Sequence, residues 1–543
     1  MRLSEPAAPE LVQTAYAREI ADTAILYAGL SSADLAHIVH LIEIGVAPRD
    51  SGGLLLHALL AIHPQLPLDF TRDPATGDVY SNREAYLGMH TSHAGWLGAG
   101  RARREAITVA YRLAVRARLL LLAMALIECA RAIVDLASDH HTTIFPDYTY
   151  LQTAQPTTFG HYVLTFAYPI LRDLERLRAV YSRTNVSPAG SGSVNGSRLP
   201  LDRERLAKLL GFESAILHTR DAMWQADGPI EITAMLSAAL TNLDRLAEDL
   251  QIFSTQEFGL VELADRHART SKIMPQKKNP YSLTYVRGVT GEMLGVLAGM
   301  AAIGKTPSGQ PDNRIFAHSA VPRALDQTIG ALQLMAGVLR GLQINTERAA
   351  ARARAGYSGA TDLAEVLMLD EGLDYRTAHN IVSRLVQDAI ESGQGSTGIT
   401  PDQVALAAEA VIERRIEIEA SKLADIMDPT SIVAARSGLG GAARAPLGDM
   451  LDEIRSALSD HQEWRQTSEL HIQHADTALQ VRAASLSVAP SAPSPPISEE
   501  SPARTMADLL DEDFSPGKKA QEKTMRDLLD ELPKPPQSWR NRE

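Results

Sequence analysis

TSKIMPQKKNP, residues 270–280, is the most distinctive segment of this 543-residue chain. It is short and polar, carries lysines, an asparagine and two prolines, and lies between two long apolar patterns of helical period. Ammonium and amide groups pair well with carboxylate oxygens, so a loop of this composition suits a polycarboxylate ligand. An ordinary basic surface loop is the alternative interpretation.

The sequence on both sides of this loop predicts an all-α protein. Apolar residues recur at helical spacing over residues 103–140, 158–183, 229–255 and 281–303. Aromatic residues make up only 5% of the chain, which favours helices over strands. Helices of this length normally bury their apolar stripes against one another as a bundle.

Shorter patterns flank the long ones. Residues 9–43 have helical spacing with a predicted break at Ser31 or Ser32, residues 64–88 contain the turn formers of an irregular connection, and residues 360–480 contain shorter helical patterns. We therefore predict three folded regions: an N-terminal helical domain at residues 1–100, a central helical bundle at residues 101–355 and a C-terminal helical domain at residues 356–484.

The C-terminal segment differs in composition. Proline and serine predominate in residues 485–498, SLSVAPSAPSPPIS, which predicts a linker. An internal repeat follows, TMADLLDEDF at residues 505–514 and TMRDLLDELP at residues 524–533, and each copy is suited to a short amphipathic helix. We predict that residues 485–543 form a disordered tail with two peptides that dock on a partner protein. A solvated acidic tail without a partner is the alternative.

Charge and composition exclude several classes of protein. The formal net charge of −13 argues against a nucleic-acid-binding protein or a basic membrane-surface protein. The single cysteine, Cys129, excludes an intramolecular disulfide framework. The chain begins without a secretory signal pattern, and charges interrupt the apolar residues 109–137, so we expect a cytoplasmic protein that spans no membrane.

We expect neither a metal nor an organic cofactor. The neighbouring histidines His90 with His93 and His140 with His141 lack a third ligand in a recognisable pattern. The glycine-rich residues 190–196, GSGSVNG, do not have the spacing of a dinucleotide-binding loop.

Six segments together resemble one family. Residues 270–280 are similar to the signature Ser-Ser-x-Met-Pro-x-Lys-x-Asn-Pro of the fumarase and aspartase superfamily. Five further blocks resemble argininosuccinate lyases in the same order along the chain, and the resemblance covers about residues 11–465. These blocks are residues 145–162, 187–212, 245–263, 356–367 and 428–443.

The resemblance implies an all-α, three-domain homotetramer whose central bundles form a twenty-helix core, with each active site built from three subunits. It implies β-elimination of fumarate from a succinyl group without a cofactor. By position, Ser271 matches the serine that takes the proton, Lys277 and Asn279 match carboxylate-binding residues, and Thr149 and Gln155 match substrate-holding residues.

Ser191 and Ser193 lie in the resembling glycine-rich turn, whose backbone amides suit a carboxylate ligand. A turn that only joins two helices is the equal alternative for these two serines.

The departures from the family pattern concern the leaving group. Tyr150 replaces a histidine assigned to protonation or orientation of that group, and a phenol is a weaker acid than an imidazolium at neutral pH. In residues 98–105, GAGRARRE, Arg103 keeps a family arginine while Arg104 replaces a substrate-binding asparagine. Residues 221–227, which include Trp224, and residues 308–316 also differ from the family blocks.

The sequence thus predicts a carbon–nitrogen lyase that releases fumarate from an N-succinyl compound other than argininosuccinate. Two alternatives remain: a catalytically silent structural or binding relative of argininosuccinate lyase, and an aspartase-like ammonia-lyase. Retention of Ser271, Lys277 and Asn279 favours an enzyme, whereas Tyr150 favours a silent relative.

Overall fold

The computed structural model describes residues 5–307 and 315–489. The predicted docking peptides at residues 505–514 and 524–533 lie outside these residues, as do residues 308–314 of the departing block. The described residues are mostly helical, which confirms the predicted fold class. The helices are α1 (Pro9–Leu11), α2 (Ala17–Ala21), α3 (Thr23–Glu43), α4 (Arg49–Ala61), α5 (Val79–His90), α6 (Arg103–Asp139), α7 (Phe159–Leu164), α8 (Ala167–Thr184), α9 (Arg203–Leu209), α10 (Thr219–Trp224), α11 (Asp227–Phe253), α12 (Tyr281–Gly304), α13 (Ile315–Leu339), α14 (Thr346–Arg354), α15 (Ala360–Glu371), α16 (Tyr375–Glu391), α17 (Pro401–Ile412), α18 (Ala420–Ile426), α19 (Pro429–Ala435) and α20 (Arg444–Leu486).

Short helices of other types and four two-stranded ribbons complete the described fold. A π-helix spans Val12–Tyr16, and 3₁₀ helices span Pro74–Thr76, Ala94–Gly98, Asp265–His267 and Ser396–Gly398. The strands are β1 (Ile144–Thr149), β2 (Gln152–Thr158), β3 (Val186–Ser187), β4 (Ser214–Ala215), β5 (Val261–Glu262), β6 (Arg269–Thr270), β7 (Lys278–Asn279) and β8 (Gln343–Ile344). The pairs β1–β2, β5–β8 and β6–β7 are antiparallel, and β3–β4 is parallel.

Helices α6, α8, α11, α12 and α13 form the central bundle. They share one hydrophobic core, in which Leu119, Leu174, Leu240, Val286 and Leu325 are fully buried. Helix α6 is the longest of the five because its 37 residues contain neither glycine nor proline and are rich in alanine and leucine. Its bounds agree with the predicted pattern at residues 103–140.

Three predicted helix boundaries are wrong. Helix α3 continues through Ser31, because the Ser31 side chain is buried and hydrogen-bonded to His63 Nδ1 (2.9 Å) and Arg83 Nη2 (3.1 Å) rather than capping a helix. The pattern predicted as one helix at residues 158–183 is interrupted between α7 and α8. Helix α5 also begins inside the predicted connection, where the Asp78 side chain accepts the Ser81 N–H.

The last helix, α20, is long, whereas the sequence indicated shorter helices in this region. Its 43 residues add Leu447 and Ile454 to the core of the central bundle and Leu479 and Leu486 to a second core, which α3 and α4 also supply. Helices α15 to α18 have a separate core of their own. The predicted C-terminal region therefore shares cores with the two regions before it.

Packing also continues past the predicted start of the linker at residue 485. Leu486 is buried, the Val488 N–H donates to the Gly53 carbonyl oxygen (3.0 Å), and a Val488 methyl lies against Gly53. Residues 485–488 therefore belong to the folded part, because they cover the second core, which α3 and α4 supply.

Candidate active site

Residues 270–280 form a loop closed by the β6–β7 ribbon. Arg269 pairs with Asn279 and Thr270 with Lys278 in antiparallel register, so the two ends of the loop lie side by side. Inside it, the Lys277 N–H donates to the Met274 carbonyl oxygen at 3.1 Å. The loop is the last part of the connection between α11 and α12, at one end of the bundle.

Ser271 has a distinctive environment within this loop. Its side-chain oxygen accepts the backbone N–H of Met274 at 3.0 Å and, with a longer separation of 3.3 Å, the N–H of Ile273. A serine hydroxyl is a poor base unless its deprotonated form is stabilised, and two backbone N–H groups aimed at the oxygen provide that stabilisation. The predicted proton acceptor is thus preorganised by its own loop.

A cavity of about 1070 Å³ lies beside the loop. Lys277 and Asn279 both line it, and the Asn279 side chain also donates to the Arg269 carbonyl oxygen at 3.0 Å. Lys277 forms no ion pair with any residue that the structure describes. The remaining lining is largely polar and includes Gln251, Thr255, Asn345 and Arg348.

Lys278 differs from its neighbour Lys277. Its ammonium lies 2.8 Å from a Glu262 carboxylate oxygen and 2.7 Å from an Asp265 oxygen. These hydrogen bonds, that of Asp265 first, raise the pKa of Lys278. Lys278 therefore stabilises the loop, whereas the charge of Lys277 is available to a carboxylate.

The hairpin β1–β2 carries three further predicted residues. Thr149 ends β1, Tyr150 lies in the turn with a positive φ of 54° and an exposure of 97%, and Gln155 is exposed on β2. A positive φ is uncommon for a bulky residue, so the turn holds Tyr150 away from the body of the protein. Tyr148 fixes the hairpin to the bundle, because its ring packs 5.7 Å from that of Phe253 at the end of α11.

Arg103 and Arg104 lie at the opposite end of the bundle. They begin α6, whereas the hairpin follows its end, and a 37-residue helix is about 54 Å long at 1.5 Å per residue. Arg103 is paired with Asp78 at 3.2 Å, and Arg104 is paired with Glu19 at 3.4 Å. One chain therefore brings the hairpin and the signature loop to one end and leaves both arginines at the other.

The glycine-rich turn binds a carboxylate from within the chain. The N–H groups of Gly190 and Gly192 donate to the two oxygens of Glu105 at 2.6 and 2.5 Å. Burial raises the pKa of Glu105 to about 7, although these two hydrogen bonds and Arg101 oppose the rise. The backbone amides that the sequence assigned to a substrate carboxylate are thus already bound to the Glu105 carboxylate.

The two serines of that turn have different environments. Ser191 is fully buried, donates to the Pro188 carbonyl oxygen at 2.6 Å and accepts from Arg203 at 3.0 Å. Ser193 is exposed. These contacts favour the helix-joining alternative for Ser191, because its hydroxyl is already satisfied inside the protein.

Sequence reasoning missed Glu105 and Glu19. Glu105 ends the block GAGRARRE, so its acidic character was visible, but its partners lie 85 and 87 residues away. For Glu19, the sequence shows only an acidic side chain, which does not indicate that it pairs with Arg104. Among residues 5–307 and 315–489, His, Cys, Asp and Glu nowhere form a group of three suited to a metal ion.

Two family models match this chain. A model described as lyase matches residues 60–295, and one described as argininosuccinate lyase C-terminal matches residues 357–434. The argininosuccinate lyase of Methanothermobacter thermautotrophicus is 32% identical over 433 residues, which are 78% of this chain and 91% of that protein. The argininosuccinate lyase of Methanoculleus marisnigri is 33% identical over 442 residues, covering 80% and 88% of the two chains.

Solved structures are similar along most of the chain. The crystal structure of EDDS lyase in complex with formate matches with a TM-score of 0.80 and 31% identity, covering 89% of this chain and 96% of that one. A fumarate lyase from Mesorhizobium sp. BNC1 matches with a TM-score of 0.65 and 20% identity, which shows the fold alone.

Proposed function

Because this chain belongs to the argininosuccinate lyase family, we propose that it is a carbon–nitrogen lyase that releases fumarate from an N-succinyl compound. The observation that carries this proposal is the geometry of Ser271, whose oxygen accepts two loop N–H groups beside a cavity lined by Lys277 and Asn279. A silent relative would have no need of this arrangement.

The proposed reaction is a β-elimination. Ser271 takes a proton from the succinyl carbon next to a carboxylate, and the electron pair moves into that carboxylate to give a dianionic aci-form. Lys277 and Asn279 stabilise the added charge. The electron pair then forms the C=C bond of fumarate, the C–N bond breaks, and the amine leaves with a proton, for which the Tyr150 hydroxyl is the proposed donor.

The variant Ser271→Ala tests this proposal. We expect it to lose fumarate release from a panel of N-succinyl amines by at least about 10³-fold, read as ultraviolet absorbance of fumarate. The neighbouring exposed Thr270→Ala is the matched control and should keep nearly full activity. Substantial turnover by Ser271→Ala would remove Ser271 from the role of base.

We propose further that argininosuccinate is not the standard substrate. Arg104 is held by Glu19, Tyr150 replaces a histidine, and Trp224 lies in another departing block. An unpaired buried polar group costs on the order of 1–3 kcal/mol, and a mismatched pocket loses several such contacts. A kcat/KM for argininosuccinate at or above about 10⁴ M⁻¹s⁻¹ would contradict this proposal.

The proposed enzyme is a homotetramer of the cytoplasm. Arg103 and Ser271 lie at opposite ends of one chain, so a site that uses both needs more than one copy. Helix α12 also leaves apolar and glycine residues exposed along one side, which suits close packing against other helices. A single-chain mass in light scattering at micromolar concentration would exclude both the tetramer and the shared site.

A further inference from the structure

Glu105 is a buried carboxylate that the proposed reaction does not use. It lies in the first turn of α6, two residues after Arg103, and is 1% exposed. Its two oxygens accept the N–H groups of Gly190 and Gly192. Removing a carboxylate from water is unfavourable unless hydrogen bonds and opposite charges compensate, so these contacts hold Glu105 in the interior.

The backbone of the glycine-rich turn is shaped to bind this carboxylate. Gly190 and Gly192 have φ angles of +74° and +62°, which residues with a side chain rarely adopt. A Cβ at Gly192 would also lie 2.5 Å from the Gly196 carbonyl oxygen, too close for any side chain. Backbone N–H groups in such a turn converge on an anion. Here the anion is the Glu105 carboxylate, which receives one N–H on each oxygen.

The segment before α6 touches the turn at a second point. Gly100 lies so near the turn that a Cβ there would come within 2.9 Å of the Ser197 hydroxyl oxygen and 2.8 Å of a Leu199 methyl carbon. Gly100 thus provides a packing contact, and Glu105 a polar contact, between the glycine-rich turn and the segment that carries Arg103.

Charged and titratable groups from three other elements face Glu105. Arg101, in the loop before α6, and Arg203, on α9, both attract its charge, and Arg101 is itself paired with Asp34 at 2.7 Å. His37, on α3, lines a small gap with Glu105, and burial holds the pKa of His37 well below its ordinary value. The charges of the two arginines and of His37 therefore stay constant between pH 6 and 8. By contrast, burial raises the pKa of Glu105 itself to about 7.

We infer that Glu105 is a positioning residue of the proposed active site, whose ionised carboxylate holds the glycine-rich turn against the start of α6. The inference rests on the proposed function, in which Arg103 belongs to the shared site. An ionised carboxylate accepts both turn N–H groups, whereas a protonated one directs its O–H at one of them and no longer accepts it. Arg103 at the start of α6 and the exposed Ser193 of the turn thus keep one arrangement only while Glu105 is charged.

The pH dependence of turnover tests this inference. Fumarate release from the N-succinyl amine that wild type cleaves fastest is measured between pH 6 and 8 with wild type and Glu105→Gln. The new amide mimics the protonated state, because it has one acceptor oxygen and its NH₂ faces the other turn N–H. We expect kcat/KM of wild type to rise about fivefold over this range and that of Glu105→Gln to stay level. Glu105→Gln should therefore be about tenfold below wild type at pH 8 and within about threefold of it at pH 6.

Asp173→Asn is the matched control. Asp173 is also 1% exposed, burial raises its pKa to about 6, and its ion pair is with Arg176 on its own helix, α8. This variant should keep the pH profile of wild type, even where its thermal midpoint changes. A loss of activity that reflects only a weakened fold would appear equally at pH 6 and pH 8, so the pH profile separates positioning from stability.

Hydrogen–deuterium exchange tests the contact without turnover. At pH 8, the backbone amides of residues 187–199 should exchange about tenfold or more faster in Glu105→Gln than in wild type, because the turn loses a hydrogen bond to α6. Asp173→Asn should exchange like wild type in these residues. Thermal unfolding of each variant shows whether it is folded.

The outcomes separate this inference from the proposed function. If wild type releases fumarate but Glu105→Gln has the pH profile of wild type, or falls below it equally at pH 6 and pH 8, Glu105 is not a positioning residue. Absence of fumarate release from every substrate overturns the proposed function instead. In that case the exchange of residues 187–199 decides whether Glu105 holds the turn, and equal exchange in wild type and Glu105→Gln overturns the inference.

Discussion

Lys277 and Lys278 are adjacent in the sequence and differ in environment. Both line the cavity beside the loop, but the Lys278 ammonium is paired with Glu262 and Asp265, whereas Lys277 forms no ion pair with any residue that the structure describes. The ribbon register causes this difference, because Lys278 lies on β7, opposite Thr270. Sequence alone does not distinguish the two ammonium groups.

We predict that Lys277→Met lowers kcat/KM for fumarate release by about 10²-fold or more, because the developing dianion loses a cation that a hydrophobic side chain does not replace. Lys278→Met, the matched control, should lower it by less than about tenfold and act mainly on thermal stability. Steady-state kinetics of both variants test the assignment of Lys277 to stabilisation of the dianion. The assignment is wrong if kcat/KM falls equally in the two variants.

The pH dependence of stability should depend on Glu105. Its pKa in the folded protein is about 7 because of burial, against an ordinary value of 4.5. The folded protein thus holds this proton more tightly than the unfolded chain, and the free energy of unfolding falls as pH rises from about 4.5 to about 7. The loss is on the order of 1–3 kcal/mol.

We therefore predict that Glu105→Gln has a flatter dependence of the thermal midpoint on pH than wild type between pH 5 and 7.5. Glu347→Gln, at an exposed position in the first turn of α14, is the control and should follow wild type. Parallel curves for wild type and Glu105→Gln would assign the pH dependence to other buried acids, such as Asp22, whose pKa burial raises to about 6.

Ser271 and Ser191 differ in how much of their environment can be predicted from the sequence. The two N–H groups that Ser271 accepts lie within three residues of it, so a local motif is sufficient to identify its environment. The turn at Ser191 faces Glu105, 85 or more residues away along the chain. The sequence predicts a carboxylate partner for this turn. In the folded protein that carboxylate belongs to Glu105 and not to a substrate.

Helix α12 leaves most of its apolar surface exposed. Helices α3 and α12 both have the length and apolar composition of a membrane-spanning helix, but 78% of the most apolar part of α3 is buried and only 28% of that of α12. Gly288, Gly291 and Gly295 follow one exposed side of α12 beside Leu294. We attribute this side to contacts between copies of the chain.

We predict that Leu294→Glu dissociates the proposed tetramer, because burying an unpaired carboxylate at a helix contact costs several kcal/mol. Leu369→Glu is the matched control, since Leu369 is an exposed leucine on α15. Light scattering should show smaller species for Leu294→Glu only. A Leu294→Glu protein of unchanged mass would place this side of α12 outside the interface.

Long helices could be predicted because their signal, the helical spacing of apolar residues, is local. Helix boundaries could not be predicted where packing against distant residues overrides that signal. Helix α6 agrees with its pattern at both ends, since continuous Ala and Leu positions need no partner to indicate a helix. Ser31 was expected to cap a helix and instead binds Arg83 in the interior. The length of α20 depends on two cores supplied by distant parts of the chain.

At the scale of the whole molecule, the folded part ends later than the composition of the chain indicates. We predict that a chain ending at Ala489 keeps the thermal midpoint, oligomer and activity of wild type and loses only binding of the proposed partner protein. A chain ending at Ala484 should melt at a lower temperature, because it loses burial of Leu486, worth about 1.5–3 kcal/mol. It also loses the Val488 hydrogen bond to Gly53. Equal melting temperatures would show that residues 485–489 contribute nothing.

Arg103 begins α6, which is about 54 Å long, whereas Ser271 lies in the loop at the other end of the bundle. This separation leads to a prediction for mixtures of inactive proteins. In the proposed homotetramer, Arg103→Ala and Ser271→Ala each remove one component of every proposed site, so both variants should be nearly inactive. If each site takes Arg103 from one copy and Ser271 from another, unfolding and refolding the two variants together in equal amounts restores some complete sites. Random assembly gives about a quarter of wild-type activity, because each component is intact in half of the chains. The same variants refolded separately and then mixed are the control and should stay inactive. A co-refolded mixture without activity, at the mass of a tetramer, would mean that the two residues do not act in one shared site.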